Sequence, residues 1–392
     1  MLLKNCRVLP ELAEGFEGQY ADVLTEGDTI VKIAPANTLT HEGETMDLGG
    51  RTLLPGLIDL HVHFGVSGLD LLVDNAKSVP YRSFEAYQYA LDTLRSGFTT
   101  VRDVGDVDHI VIEMRNMIRQ GKLVGPTIYT SGKIVTPTEQ ENDYFMGMYN
   151  EADGVVAVRR AARQEFAAGA DFMKIMVSGA ISNPGGVPGM TICDEDELTE
   201  LVRVAKSKGS YVAAHCHSAH SIKLCLKTGV RTIEHASDLD EEIIEELKKE
   251  NTYIVPTLCC AIKIHESADN FSEFMRAKTN KLIESVYRSI KMAYAAGLKM
   301  GFGTDAGTTE NWHGKNGEEF IYRYERAGIK PIDILKQATI ESAVIGGFAH
   351  EVGTIKEGKK ADFVVIDGKP EEDIYLMAQK PFAVIKSGSL VR

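Results

Sequence analysis

The feature that most restricts this chain is an alternation. Between residues 56 and 351, short apolar, β-branched runs take turns with helical stretches about eight times. The apolar runs stop at His63, Asp103, Lys133, Lys174, His215, His235, Pro256 and Asp305. Among the helical stretches are SFEAYQYALDTLRSG (83–97), EADGVVAVRRAARQEFAAG (151–169), DEDELTELVRVAKSKG (194–209) and DLDEEIIEELKKE (238–250). The last opens with acidic residues and closes with lysines, matching the helix dipole. Strand and helix in repeated alternation predict a parallel sheet with helical crossovers. Eight such units in about 300 residues fit a closed (β/α)8 TIM barrel better than an open sheet.

Both ends of the chain read differently. Residues 1–55 contain ADVLTEGDTIVKIAP (21–35) and TMDLGGRTLLPG (45–56), strands separated by turns. After His350 come GTIKEGKKADFVVIDG and PFAVIKSGSLVR, again strand-turn-strand. The expectation is a small β-sandwich domain assembled from 1–55 and 352–392, attached to an α/β barrel domain over 56–351.

Composition narrows the partners. The 392 residues are 44% hydrophobic and 25% charged, an ordinary globular balance. A formal net charge of −13 repels phosphate backbones and anionic membrane surfaces, so no nucleic-acid or membrane partner is expected. No secretory signal is read in MLLKNCRVLPEL, and runs such as IVPTLCCAI (254–262) are too short to span a bilayer. The expected compartment is cytoplasmic. Cysteines 6, 193, 216, 225, 259 and 260 form no C-x-x-C pair and are expected to be reduced, buried thiols.

The chemistry gathers where apolar strands stop. In PGLIDLHVHFG (55–65), residues two apart on a strand face the same side, so His61 and His63 project together and suit one divalent metal. ADFMKIMVSG places Lys174 inside a hydrophobic strand, where an unpartnered ammonium is costly. Either a nearby carboxylate pairs with it, or its neutral amine carries CO2 as a carbamate, a carboxylate-like group able to bridge two metals. SYVAAHCHSAH ends a strand at His215 and VRTIEHASD ends the next at His235. His217 shares the strand-side phase of His215, so either could be the ligand. We take His215 as ligand, because it ends the apolar run, and place His217 near the substrate. His220 falls in a first helical turn, exposed. KMGFGTDAG (299–307) delivers Asp305 beside the first strand if the barrel closes; elsewhere an Asp before Ala-Gly is more often a turn or helix cap. GAISNPGGVPGM (179–190) lacks the lysine of a P-loop and is expected to be an active-site loop. TPTEQENDYFMGMY (136–149) and TTENWHGKNGEEF (308–320) are similar candidates.

The ordered series H-x-H, Lys, His, His, Asp resembles the amidohydrolase superfamily, with those residues on strands one, four, five, six and eight. PGLIDLHVHFG, GFTTVRDVG, GADFMKIMVSG, RTIEHAS, VPTL and GFGTDAG are similar to the branch of Xaa-Pro and Xaa-Arg dipeptidases, carboxypeptidases and imidazolonepropionase-like proteins. The resemblance implies two divalent metal ions: one held by His61, His63 and Asp305, the other by His215 and His235, with N6-carboxylated Lys174 between. Zinc is the first expectation, with cobalt or manganese on the same ligands. It implies hydrolysis of an amide-type C–N bond in a dipeptide, N-acyl amino acid or related small-molecule substrate. A metal-bridging hydroxide would attack, with Asp305 as general base and then acid. It also implies a homo-oligomer. In dipeptidase-like relatives the loop after strand three tends to carry Gly-Gly-His, and a Tyr often follows the strand-five His by two. Here Glu139-Gln140-Glu141 and His217 occupy those places, which counts against recognition of a dipeptide carboxylate.

Two other readings compete. A mononuclear deaminase or cyclic amide or imide hydrolase of the same superfamily would usually dispense with Lys174. A non-enzymatic scaffold would have lost ligands, whereas all six positions are filled.

Overall fold

The structure is a computed structural model that describes residues 1–181, 183, 187–266 and 273–391. In chain order its strands are β1 (Leu2–Val8), β2 (Tyr20–Glu26), β3 (Thr29–Pro35), β4 (Thr45–Asp47), β5 (Thr52–Pro55), β6 (Leu57–Val62), β7 (Phe98–Asp103), β8 (Thr127–Thr130), β9 (Ile134–Thr136), β10 (Tyr149–Glu151), β11 (Met173–Met176), β12 (Val212–Cys216), β13 (Thr232–His235), β14 (Tyr253–Val255), β15 (Phe363–Ile366), β16 (Ala383–Lys386) and β17 (Ser389–Leu390). Strands β6 to β14 form two parallel sheets, ordered β6-β7-β8 and β10-β9-β11-β12-β13-β14. Helices such as Val79–Arg95, Gly154–Ala168, Glu195–Ser207, Ala219–Thr228 and Glu241–Lys249 return the chain between successive strands. Their ends follow from the residues. Asp194 and Glu197 form a capping box, Asp240 accepts from Ile243 N, and Gly169 and Gly229 end helices in the left-handed region.

Every residue of β6, β7, β11, β12 and β13 is buried, as parallel strands sandwiched between helices and interior side chains require. The extended segment 300–306 lies against both β14 and β6. Gly301 N donates to Ile254 O at 2.9 Å, Leu60 N to Phe302 O at 2.8 Å, and Asp305 N to His61 O at 2.7 Å. Fully buried Arg323 donates to the carbonyls of Pro256 and Gly301, tying the segment to the end of β14. Asp59 accepts from His61 N, Thr304 and Asn316, tying it to β6.

Three strand ends differ from the sequence reading. Lys174 is the second residue of β11, which continues to Met176, so it sits within the strand rather than at its end. The third strand does not run unbroken to Lys133. It stops at Thr130 and resumes as β9, because Gly132 takes a left-handed φ of 66°. Segment 300–306 makes single bridges rather than a ladder, since Asp305 itself turns left-handed with a φ of 62°.

The two chain ends share one sheet, ordered β17-β16-β15-β5-β1-β2-β3, with β4 also on β1. It is one continuous hydrogen-bonded path rather than two separate layers. Ile30 N donates to Lys359 O at 2.9 Å and Ala361 N to Asp28 O at 2.7 Å, so the sheet curls until β3 meets the chain leading into β15. Its core includes Leu3, Val8, Val23, Leu53, Phe363 and Ile385. β15 alternates between two cores: Phe363 and Val365 enter this one, while Val364 and Ile366 join the large cluster containing Leu57 and Phe98. All six cysteines are buried free thiols. No helix among the described residues is long and apolar enough to cross a membrane.

Candidate metal centre

β6 carries His61 on its last turn of pleat, and His63 follows directly after it. His61 Nδ1 lies 2.7 Å from Glu234 Oε2, and its Nε2 lies 3.4 Å from Asp305 Oδ1. His63 Nδ1 lies 3.3 Å from the Gly105 carbonyl, and its Nε2 lies 3.3 Å from the same Asp305 oxygen. A carboxylate and a carbonyl can only accept, so each ring donates through Nδ1. A neutral ring then turns a bare Nε2 lone pair toward an anionic oxygen. Lone pairs converging on a carboxylate repel unless a cation lies among them. The donor set therefore fits a metal ion.

The Glu234 carboxyl sets this tautomer. Burial works to raise its pKa, but Arg102 and His61 prevail and hold it at about 2. Arg102, fully buried, donates to Glu234 Oε1 at 2.7 Å, to Thr232 Oγ1 at 3.0 Å and to Leu60 O at 2.7 Å. It fills the space between β6, β7 and β13 and presents Glu234 to His61.

β12 and β13 bring up the other imidazoles. The ring centroids of His215 and His235 are 4.5 Å apart, and those of His61 and His235 are 4.9 Å apart. His235 Nδ1 lies 2.7 Å from Thr257 Oγ1. His215 Nε2 is buried with no hydrogen-bond partner, an orphan that a metal ion would satisfy. Burial holds the pKa values of His215 and His235 well below the usual imidazole value, which keeps both rings neutral. Ligand atoms of His61, His235 and Asp305 lie within 4.8 Å of one another, as do those of His215, His217 and His235. The His217 ring thus belongs to the cluster, its Nδ1 2.9 Å from Ser237 Oγ. His220 is exposed on its helix.

Lys174 faces the same pocket and is only 2% exposed. Among the described residues its amine has no hydrogen bond or ion pair, so the carboxylate-paired alternative finds no partner. Burial pulls the ammonium pKa down to about 8, against the attraction of Glu234 and Asp305.

Two of these residues, and the neighbour of one of them, sit in strained backbone. His235 has a φ of 68°, Ala236 of 47° and Asp305 of 62°. Left-handed conformations cost non-glycine residues on the order of 1–3 kcal/mol each and collect at functional sites.

The seven polar residues line one pocket of about 950 Å³, open to solvent at its mouth. Loop 136–149 contributes Phe145, Met148 and Tyr149, and the chain after segment 300–306 contributes Gly307, Thr308 and Thr309. The loop after β11 contributes Ala180 and Ile181; its residues 182 and 184–186 lie outside the described residues. Glu139 lines only a smaller adjoining cleft, and Trp312 lines neither. Sequence reasoning did not single out Glu234, Arg102, Asp59, Thr257 or Ser237. One signal was present: a Glu between Ile233 and His235 in a fully apolar strand has to find a buried partner.

Residues 52–391 match the amidohydrolase family. The chain belongs to that family. This amidohydrolase is 28% identical over 371 residues to the ochratoxinase of Aspergillus niger, a match covering 87% of the chain and 75% of the relative. It superposes on a solved Xaa-Pro dipeptidase with methionine bound in the active site, with a TM-score of 0.90 and 31% identity over 99% of this chain and 98% of that one. A prolidase complexed with N-methylphosphonate-L-proline gives a TM-score of 0.90 and 29% identity over 100% and 99% of the two chains. These are the neighbours expected of the branch that the sequence resembles. The amidohydrolase is thus a hydrolase acting on carbon–nitrogen bonds.

Proposed function

We propose that this amidohydrolase cleaves an amide-type C–N bond in a small molecule such as a dipeptide or N-acyl amino acid. His61, His63 and Asp305 would hold one divalent cation, His215 and His235 a second, and a carbamate on Lys174 would join them. The observation that carries the reading is Lys174: buried, without a hydrogen bond or ion pair among the described residues, and in one pocket with five imidazoles and Asp305. Its neutral nitrogen bonds to the carbon of CO2 and releases one proton, turning a costly buried cation into an anionic ligand. The donors are nitrogen and oxygen, which suits zinc, with cobalt or manganese on the same set.

Two divalent cations lower the pKa of water to near neutrality and polarise a carbonyl. The remaining chemistry belongs to the chain. Asp305 takes the proton from the attacking water and returns it to the departing nitrogen. Glu234, backed by Arg102, keeps His61 in the tautomer that offers Nε2. His217, held by Ser237, turns its other edge to the pocket and is assigned to the substrate.

The bonds along segment 300–306 support reading the parallel strands as a (β/α)8 barrel over 56–351, with 1–55 and 352–392 as the second domain. A homo-oligomer remains the expected state, and the exposed side chains of Leu72, Tyr81 and Phe84 supply apolar surface for one. Sedimentation would weigh it.

Elemental analysis tests the centre, with two divalent ions per chain expected and one favouring a mononuclear deaminase. The catalytic assignment is tested by a screen of dipeptides and N-acyl amino acids with metal-loaded protein and added bicarbonate. Turnover lost in Asp305→Asn supports it; turnover unchanged overturns it.

A further inference from the structure

Beyond its metal-binding end, the pocket is almost entirely hydrocarbon. Val66, Leu71, Phe145, Met148, Met176 and Val286 form its walls. Of the described residues that line it, Lys174 is the one Lys or Arg, and it sits at the imidazole cluster. The undescribed segments 182, 184–186 and 267–272 contain neither Lys nor Arg in sequence. Lys278 donates to the Asn183 carbonyl at 2.6 Å, and Asn183 lines only the smaller cleft. The polar handle on the walls is neutral. Tyr149 stacks on Phe145 with ring centroids 4.6 Å apart, and its hydroxyl has no partner among the described residues. The hydroxyls of Ser237 and Thr257 are engaged by His217 and His235.

We propose that the substrate is an amide whose end remote from the cation centre is bulky, apolar and uncharged. An ionised carboxylate placed against those walls loses its water and gains no counter-charge. The Tyr149 hydroxyl can hydrogen-bond a neutral carbonyl or amide instead. The inference rests on the hydrolase reading above and narrows its range: amides that carry an ionised carboxylate at the far end become poor substrates, and their neutral counterparts good ones.

The test uses one skeleton with and without a charge at its far end, N-(4-carboxybenzoyl)aniline and N-(4-carbamoylbenzoyl)aniline. Turnover of each is measured with metal-loaded protein, and binding of each to the Asp305→Asn protein by calorimetry. The proposal expects the carbamoyl compound to be favoured by about tenfold or more. Met148→Lys keeps the side-chain stem and adds a cation, and should shift the ratio toward the carboxylate; if that variant does not fold, Leu71→Arg at the less buried rim serves the same purpose. Equal affinities, a preference for the carboxylate, no binding of the carbamoyl compound at millimolar concentration, or a ratio that ignores the added cation would each overturn it. Full turnover in Asp305→Asn would instead remove the hydrolytic assignment and leave the binding preference standing, so the two claims fail separately.

Discussion

Lys174 shows how much one residue can report about a site. Its pKa of about 8 lies below the ordinary 10.5, so between those values the folded chain binds fewer protons than the unfolded one. Stability of the metal-free protein should therefore rise as pH climbs from 8 to 10.5. Below that window the buried ammonium is a burden on the order of 3 kcal/mol. Lys174→Met should accordingly raise the thermal midpoint of metal-free protein at neutral pH while abolishing activity, readable by calorimetry and assay. Because only the neutral amine takes up CO2, 13C-bicarbonate should label Lys174 more fully at about pH 9 than at about pH 6 by carbon NMR. Glu234→Gln should weaken metal affinity or activity by about 10- to 100-fold, since the ring of His61 loses its anionic acceptor. The candidate ligand residues were legible because each ends or interrupts an apolar run. Glu234 and Arg102 were not, since a buried pair is recognised only when both partners are placed, and they lie 132 positions apart.

At the scale of elements, the strands had to be apolar and the helices amphipathic, and the helix ends at Asp194, Asp240, Gly169 and Gly229 follow from local capping chemistry. What could not be read was where a strand breaks. Gly132 and Asp305 interrupt their ladders through backbone angles that depend on what surrounds them. Gly307 has the same dependence: its φ is 105°, and a Cβ there would fall 2.4 Å from the His63 carbonyl oxygen. Gly307→Ala should destabilise the fold by on the order of 1–3 kcal/mol in urea titration and lower activity, because the strain falls between two candidate ligands. A second element-level device is the contact of His109 Nε2 with Glu165 at 2.7 Å, which raises the His109 pKa above 6.5. The contribution is complete below that unfolded value and fades as pH rises through the folded one. Wild type should exceed His109→Gln in stability at about pH 6, and the gap should close by about pH 9.

For the whole molecule, the two chain ends are structural parts of one body. β15 lies between β5 and β16 and fills two cores at once, with Val364 facing Leu57 and Phe98 and Val365 facing the curled sheet. Ending the chain before Phe363 should leave the large cluster uncovered and give insoluble protein, checked by yield and circular dichroism. Local patterning was enough to determine the strand–helix alternation, the β-rich ends and the candidate ligands, because hydrophobic period and polar interruption are properties of neighbouring residues. Tertiary structure alone decided that Lys174 has no hydrogen bond or ion pair among the described residues, that Asp305 Oδ1 meets both His61 and His63, and that the described walls of the pocket beyond the imidazole cluster carry no Lys or Arg. Each of those is a distance between residues far apart in the chain, set by how the packed layers close and by nothing a local window contains.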